Sequence, residues 1–236
     1  MIDLHCHILF DTDDGARKIE NSINILKEAY DAGFTEICCT PHYVAPQHIK
    51  TKLENKEKLN LIEEKLKEEK IDIKLCLGNE IYVTDNIDEL VKNGSVSTIA
   101  DTKYILVELP ITQKLLNAEE TIESLIFAGY KVILAHPERY VYVQKNIKYL
   151  DNFIEMGAYL QGNYESLIGK YGKEAEKTIK KLLKEKKIDL LATDTHRENS
   201  TYTKMNKILK KLKHYAKKDY YEYVTQDCQK DILKNV

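Results

Sequence analysis

Ile2-Asp3-Leu4-His5-Cys6-His7, at the start of the 236-residue chain, is the stretch from which the fold can be predicted. It is short and largely apolar, and it ends in polar side chains, as a buried strand does where it reaches the end of a sheet. Because successive side chains of a strand alternate between its two faces, His5 and His7 are expected on the same face. Two imidazoles in this arrangement can bind one metal ion from two directions.

Similar apolar runs recur along the chain and alternate with amphipathic segments. Besides residues 1–5, the predicted strands are residues 35–40, 72–79, 104–109, 131–135, 158–162 and 188–193. The predicted helices between them include residues 18–32, 52–69, 117–129 and 173–186. This alternation indicates a parallel sheet with helices outside it, and seven units in a chain of this length favour a small α/β barrel. No linker rich in glycine, serine or proline divides the chain, so residues 1–236 are expected to form a single domain.

Charge and composition exclude several classes of protein. The 36 basic and 38 acidic residues give a net charge of −2, which offers no electrostatic argument for nucleic acid. No stretch approaches the roughly 20 apolar residues that span a bilayer, and no secretory signal precedes the first strand. The five cysteines include no CxxC pair and are expected to be buried hydrophobic residues. We therefore expect a cytoplasmic protein without membrane insertion, and a homo-oligomer is possible.

Nine imidazole and carboxylate side chains stand at or just beyond the predicted strand ends: His5, His7, Asp14, His42, Glu80, Glu108, His136, Asp194 and His196. The carboxyl ends of the strands of a parallel barrel converge on one face, where active sites are built. Carboxylates gathered there without cations would repel one another and raise one another's pKa values. Nine ligands exceed the roughly four to six positions of one ion, so the pattern predicts two or three divalent metal ions. The remaining histidines, His48 and His214, are expected at the surface.

The arginines are the second functional signal. Only three of the 36 basic residues are arginines, and Arg17, Arg139 and Arg197 each lie within three residues of a predicted ligand. A planar guanidinium can bind phosphate in a bidentate manner, although pairing with ligand carboxylates is the alternative. A metal cluster beside arginine suggests phosphate ester hydrolysis. A thiol phosphatase is excluded because no cysteine is followed six residues later by arginine, and no phosphate-binding GxxxxGK[ST] loop exists.

Seven short motifs in order resemble the PHP (polymerase and histidinol phosphatase) superfamily. The similarity is greatest to its bacterial protein-tyrosine phosphatases of capsule and exopolysaccharide clusters, the CpsB/CapC group. The motifs cover nearly the whole chain and are Asp3-Leu4-His5-Cys6-His7, Asp13-Asp14-Gly15, Thr40-Pro41-His42, Gly78-Asn79-Glu80, Glu108-Leu109-Pro110, Ala135-His136-Pro137-Glu138-Arg139-Tyr140 and Thr193-Asp194-Thr195-His196.

The resemblance implies a distorted (β/α)7 TIM-like barrel with three metal ions, usually manganese, although Fe, Zn, Co or Mg are possible. It assigns one ion to His5, His7, Glu80 and Asp194, a second to Glu80, Glu108 and His136, and a third to Asp14, His42 and His196. It also implies that Arg139 binds the substrate phosphate, and Asp14 and His42 lie near enough to be considered as the general acid. The implied reaction is hydrolysis of phosphotyrosine by a metal-activated hydroxide.

The implied substrate is the C-terminal tyrosine cluster of a cognate bacterial tyrosine kinase that controls capsule or exopolysaccharide synthesis. Alternatives are a small-molecule phosphatase such as histidinol-phosphatase, and a catalytically inactive scaffold that binds a kinase tail. An amidohydrolase shares the opening HxH but normally needs a bridging lysine. The tyrosine-rich segment 215–223 is expected either to pack its aromatic rings against the domain or to offer them to a partner protein.

Overall fold

Parallel β-strands form the centre of the computed structural model, which describes residues 1–234. The strands are β1 (Ile2–Cys6), β2 (Glu36–Cys39), β3 (His42–Tyr43), β4 (Lys74–Leu77), β5 (Glu80–Tyr82), β6 (Tyr104–Glu108), β7 (Lys131–Ala135), β8 (Tyr159–Asn163) and β9 (Leu190–Ala192). Each of the seven predicted runs contains a strand. Two runs are followed by a further short strand that was not predicted, so that β2 and β3 share one strand position, and β4 and β5 share another.

The strand positions are joined by hydrogen bonds into a ring. One sheet has the order β1-β2-β4, and the other has the order β3-β5-β6-β7-β8-β9. Gly78 N, between β4 and β5, donates to Cys39 O at 2.9 Å. Cys6 forms a parallel bridge with Thr195, which joins the first strand to the segment that follows the last. The predicted α/β fold with parallel strands is therefore confirmed.

Helices cover the outside of this ring. They are α1 (Ile19–Asp31), α2 (Lys52–Glu69), α3 (Ile87–Lys92), α4 (Ala118–Phe127), α5 (Val141–Lys145), α6 (Asp151–Glu155), α7 (Lys173–Lys184), α8 (Met205–Leu212), α9 (Lys218–Glu222) and α10 (Cys228–Leu233). The four helices predicted between strands are confirmed, with ends that differ by at most two residues. Short helices such as α3 and α5 were missed because one or two turns carry too few residues to show a helical period.

Apolar side chains fill the inside of the ring and leave the predicted ligands at the carboxyl ends of its strands. On β6, Tyr104, Leu106 and Glu108 share one face by the alternation of the strand. The first two belong to the apolar cluster that fills the ring, whereas Glu108 stands at its carboxyl end. The apolar filling therefore directs the ionisable side chains to the mouth of the barrel, where the parallel strands end.

The tyrosine-rich segment after α8 packs against the domain. Tyr220 Oη donates to Ile188 O at 2.8 Å, and Tyr223 Oη donates to Asp189 Oδ1 at 3.3 Å. Of the two alternatives predicted for residues 215–223, packing against the rest of the chain is therefore the one that applies to the rings of Tyr220 and Tyr223. Within residues 1–234, no helix combines the length and the apolar character needed to span a bilayer.

Candidate metal centre

The first group of converging side chains lies at the centre of the mouth and joins β1 to β5 and to the segment after β9. His5 Nε2 and His7 Nε2 are 3.1 Å apart, and they lie 3.2 and 3.3 Å from Glu80 Oε2. Asp194 Oδ1 lies 3.6 Å from the first of these nitrogens and 3.4 Å from the second. All four side chains are buried. Two ring nitrogens and two carboxylates that face one shared point form a set of ligands for a cation.

The second group contacts both oxygens of Glu80. His136 Nε2 lies 2.7 Å from Glu80 Oε1 and 3.7 Å from Glu108 Oε1. His42 Nδ1 lies 2.9 Å from Glu80 Oε2, and His42, Glu80 and Glu108 present ligand atoms within 4.8 Å of one another. The Glu80 carboxylate is therefore shared between the first and second groups, as a bridging ligand would be.

The third group faces solvent. Asp14 Oδ1 lies 3.3 Å from His196 Nε2 and 3.7 Å from His42 Nε2. The His7 ring stacks on the His196 ring with centroids 3.9 Å apart, so the third group adjoins the first. Asp14 is 62% exposed, unlike the buried carboxylates of the other groups. This side of the cluster is open to an incoming molecule.

The donor atoms fit a cluster of divalent ions. His42 Nδ1 and Glu80 Oε2 are buried, yet no group of residues 1–234 forms a hydrogen bond of acceptable geometry with either atom. Buried polar atoms without partners are costly, and a cation between the ring nitrogen and the carboxylate would satisfy both. Imidazole and carboxylate ligands without thiolate suit ions such as Mn²⁺, Fe²⁺ or Zn²⁺.

The charges at the mouth shift the pKa values of its ligands. Burial alone would lower the pKa of His5, but the carboxylates of Glu80 and Asp194 outweigh it and raise the pKa to about 8. Burial and the charge of Glu80 raise the pKa of Glu108 to about 7. Without metal ions the cluster therefore retains protons at neutral pH, and cations would displace them on binding.

Two of the predicted ligands have strained backbones. His136 has a φ of +33° and Asp194 a φ of +50°, in the left-handed region that residues other than glycine seldom occupy. Such strain is typical of functional sites, where the surrounding structure holds an unfavourable conformation in place.

Burial and the charge of Arg139 lower the pKa of His136 to about 4, so its imidazole is neutral and able to act as a ligand.

A carboxylate that was not predicted as a site residue orients the imidazole of His7 and holds the backbone of His42. Asp13 Oδ2 lies 2.7 Å from His7 Nδ1 and accepts from His42 N at 2.8 Å, while Asp13 Oδ1 accepts from Gly15 N at 2.8 Å. Burial would raise the pKa of Asp13, but His7 lowers it well below its usual range. A carboxylate on the far nitrogen of a ligand imidazole fixes its orientation and increases its basicity. Asp13 could have been predicted from the Asp-Asp-Gly motif, because the motif places this second carboxylate beside Asp14.

Two amides on β8 have a similar role. Gln161 Oε1 lies 2.7 Å from His5 Nδ1, and Gln161 Nε2 donates to Asn163 Oδ1 at 2.8 Å. Asn163 Nδ2 then donates to Asp194 Oδ2 at 2.7 Å. The i, i+2 spacing places both amides on the same face of β8. They were not predicted because an amide carries no charge that would mark it as a ligand, although two amides at the end of a buried strand were the available signal.

The three arginines occupy different positions. Arg139 Nη1 donates to Asp194 Oδ2 at 2.8 Å, its guanidinium lies 4.6 Å from the ring centroid of Tyr171, and its side chain is 22% exposed. Arg197 Nη1 donates to Gly15 O at 2.5 Å and to its neighbour's carbonyl, and so links two loops of the mouth. Arg17 is exposed, and it lines a cavity of about 170 Å³ together with His196 and Arg197.

One histidine that was expected at the surface lies beside the site. His48 is half-buried, and its ring stacks at 6.2 Å from the ring of His42. It was missed because an antiparallel bridge between Val44 and His48 folds residues 44–48 back over the mouth. The expectation for His214 is correct, since this residue is exposed.

Comparison with known proteins gives consistent results. The family model described as "Capsular polysaccharide synthesis, CpsB/CapC" matches residues 1–234. A protein of Staphylococcus aureus named putative tyrosine-protein phosphatase CapC is 33% identical over 223 residues, which cover 94% of this chain and 86% of that protein.

Solved structures also resemble the chain. A structure described as one of YwqE from Bacillus subtilis and CpsB from Streptococcus pneumoniae, "unique metal-dependent tyrosine phosphatases", has a TM-score of 0.92 at 28% identity. The match covers 100% of this chain and 95% of that one. Histidinol phosphate phosphatase from Lactococcus lactis, solved with zinc, L-histidinol and phosphate, has a TM-score of 0.59 at 17% identity and covers 91% and 93% of the two chains. The latter likeness extends to the fold alone.

Proposed function

Because the chain belongs to the CpsB/CapC family of capsular polysaccharide synthesis, we propose that it is a metal-dependent protein-tyrosine phosphatase. The observation that carries the proposal is the convergence of three overlapping groups of imidazoles and carboxylates, two of which share Glu80. Such a cluster suits hydrolysis of a phosphate monoester, in which negative charge must be neutralised on several oxygens at once. The arginine at its edge adds a group that can bind phosphate.

The nine predicted ligands would hold two or three divalent ions, with manganese as the proposed metal. Bound ions of this kind acidify water and neutralise phosphate charge. The third group, with its exposed Asp14, would face the incoming phosphate. The hydrogen bond with His196 lowers the pKa of Asp14 to about 2, so its carboxylate is charged at neutral pH and suits a ligand better than an acid.

Arg139 is the proposed phosphate-binding residue. Its guanidinium is held between Asp194 and the Tyr171 ring, so that its orientation is set before substrate arrives. A fixed planar fork can bind two phosphoryl oxygens with little loss of side-chain entropy. Arg197 and Arg17 remain secondary proposals, since the first already bonds backbone carbonyls and the second points to solvent.

The proposed substrate is phosphotyrosine in the C-terminal tyrosine cluster of a bacterial tyrosine kinase. A phenolate leaves more readily than an alkoxide because it is the weaker base, so this reaction makes a small demand on a general acid. The second candidate is a small-molecule monoester such as histidinol phosphate, because a phosphatase for that substrate shares the fold.

The test compares turnover of the two substrates by the metal-loaded protein. We expect EDTA to abolish hydrolysis of a phosphotyrosine peptide and Mn²⁺ to restore it, with little turnover of histidinol phosphate. His136→Ala and Asp194→Ala should each lower kcat/KM by more than about 100-fold, because each removes a proposed ligand. His214→Ala, which alters an exposed histidine, is the matched control. Full activity of either ligand variant, or a preference for histidinol phosphate, would contradict the proposal.

A further inference from the structure

A tyrosine stands immediately outside the proposed ligands on the same face of one strand. Tyr82 is two residues beyond Glu80 on β5, so the alternation of the strand places both side chains on one face. Glu80 is fully buried, whereas Tyr82 is 36% exposed. The phenol ring therefore lies at the rim of the mouth, on the solvent side of Glu80.

The neighbouring strand places the same ring beside a second ligand. Tyr82 and Glu108 are register partners in the parallel pairing of β5 with β6. Burial and the charge of Glu108 both raise the pKa of Tyr82, in agreement with a phenol close to that carboxylate. Tyr82 thus stands beside both proposed carboxylate ligands of the second group.

A stack of aromatic rings approaches the rim from the next strand position. The His136 ring contacts Tyr140 edge-on at 6.0 Å, and Tyr140 stacks on Tyr142 at 5.5 Å. The position of the Tyr140 ring is fixed, because its hydroxyl donates to Ala135 O at 2.7 Å. The same hydroxyl accepts from Leu109 N at 3.0 Å, so the stack lies against the residue that follows Glu108, the register partner of Tyr82.

The hydroxyl of Tyr142 differs from that of Tyr140. Tyr142 Oη is buried, and within the described part of the chain no group forms a hydrogen bond with it. A buried hydroxyl without a partner costs free energy unless a bound molecule satisfies it. The half-exposed ring of Tyr82 and the unsatisfied hydroxyl of Tyr142 are therefore better explained as parts of a binding surface than as ordinary surface packing.

We propose that Tyr82 and Tyr142 form an aryl subsite, which binds the ring of a phosphorylated tyrosine while its phosphate lies at the metal ions that Glu80 and Glu108 would hold. This inference rests on the proposed function. A phosphate bound to metal ions at these carboxylates would have its ester oxygen and the attached group on the solvent side, where Tyr82 stands. An aromatic ring placed there can make the offset or edge-to-face contacts that aromatic pairs prefer, whereas an alkyl group cannot.

The experiment measures binding rather than turnover. Phenylphosphonate and methylphosphonate, which resist hydrolysis, are titrated into the manganese-loaded protein by calorimetry, with inorganic phosphate as the reference. The unaltered protein should bind phenylphosphonate more tightly than methylphosphonate. Tyr82→Ala should weaken the binding of phenylphosphonate by about fivefold, as expected for the loss of one aromatic contact, and leave the binding of methylphosphonate unchanged. Tyr82→Phe should restore the preference, because it retains the ring.

Two further measurements keep the outcome decisive. Metal content by mass spectrometry should equal that of the unaltered protein in each variant. Tyr82→Leu preserves apolar bulk if the alanine variant folds poorly, and it should also lose much of the preference. Equal weakening of both phosphonates, or unchanged binding of both, would overturn the aryl subsite. If the unaltered protein prefers phenylphosphonate but hydrolyses no phosphotyrosine peptide, the subsite stands and the proposed function fails.

Discussion

Gly15 shows how one residue controls the position of several proposed ligands. The loop of residues 13–15 passes so close to β1 that a Cβ atom on Gly15 would lie 2.1 Å from His7 O and 2.8 Å from Asp13 Oδ1. These distances are far shorter than van der Waals contact. Glycine is therefore required here by the close approach of two backbone segments.

We expect Gly15→Ala to displace the loop and to weaken the third group of ligands. The methyl group would push Asp13 away from His7 and carry Asp14 with it, so the chain should bind about one metal ion fewer and lose roughly 10- to 100-fold in kcat/KM. Metal content and phosphotyrosine turnover measure this. Gly33→Ala is the control, because its Cβ would meet open space although its φ of +86° also disfavours alanine. Normal metal content in Gly15→Ala would show that the loop tolerates the methyl group.

At the level of secondary structure, helix α2 has an N-terminal cap that can be recognised in the sequence. Thr51 Oγ1 accepts from Glu54 N at 3.4 Å, and Glu54 Oε2 accepts from Thr51 N at 2.8 Å. This reciprocal pair satisfies two backbone donors that the first turn would otherwise leave free. It explains why the predicted and observed starts of this helix agree.

Thr51→Ala is expected to destabilise the protein without affecting the metal centre. Loss of the cap should cost about 1 kcal/mol, which corresponds to roughly 2–4 °C in Tm for a chain of this size. Thr51→Ser retains the hydroxyl and should leave Tm within about 1 °C of the unaltered protein. Thermal unfolding and metal content measure the two effects. A change in metal content with Thr51→Ala would show that the start of α2 supports the mouth.

At the level of the whole molecule, the fold brings together groups that favour protons when metal is absent. The pKa of His5 rises from its usual 6.5 to about 8, because carboxylates from two distant parts of the chain outweigh the effect of burial. The folded chain therefore binds this proton more tightly than the unfolded chain does. Stability from this source is complete below about pH 6.5 and is lost as the pH rises through about 8.

We thus expect the EDTA-treated protein to lose stability between pH 6.5 and pH 8, as measured by Tm or by urea unfolding. Metal affinity should show the opposite trend and increase over the same pH range, because these protons must leave before the ions bind. His5→Gln, which removes the titrating group, should flatten the pH dependence of the metal-free protein. A metal-free protein whose stability rises over this range would contradict the assigned charge environment of His5.

The sequence alone was sufficient for those features that depend on neighbouring residues. Strand alternation placed His5 and His7 on one face, apolar periodicity located helices such as α2, and the position of Glu108 at the end of a buried run marked it as a candidate ligand. These patterns are local, because the geometry of a strand or helix repeats every few residues. They identified the proposed ligands without any knowledge of the distances between them.

Other features were decided only by the tertiary structure. The contact of Asp13 with His7, the contact of Gln161 with His5 and the position of Tyr82 at the rim all depend on how separate segments meet. Side chains far apart in sequence become neighbours only when the ring of strands closes, and nothing in a local pattern encodes that distance. Residue types and spacing therefore specified which chemistry was available, whereas long-range packing determined how those groups are arranged around a substrate.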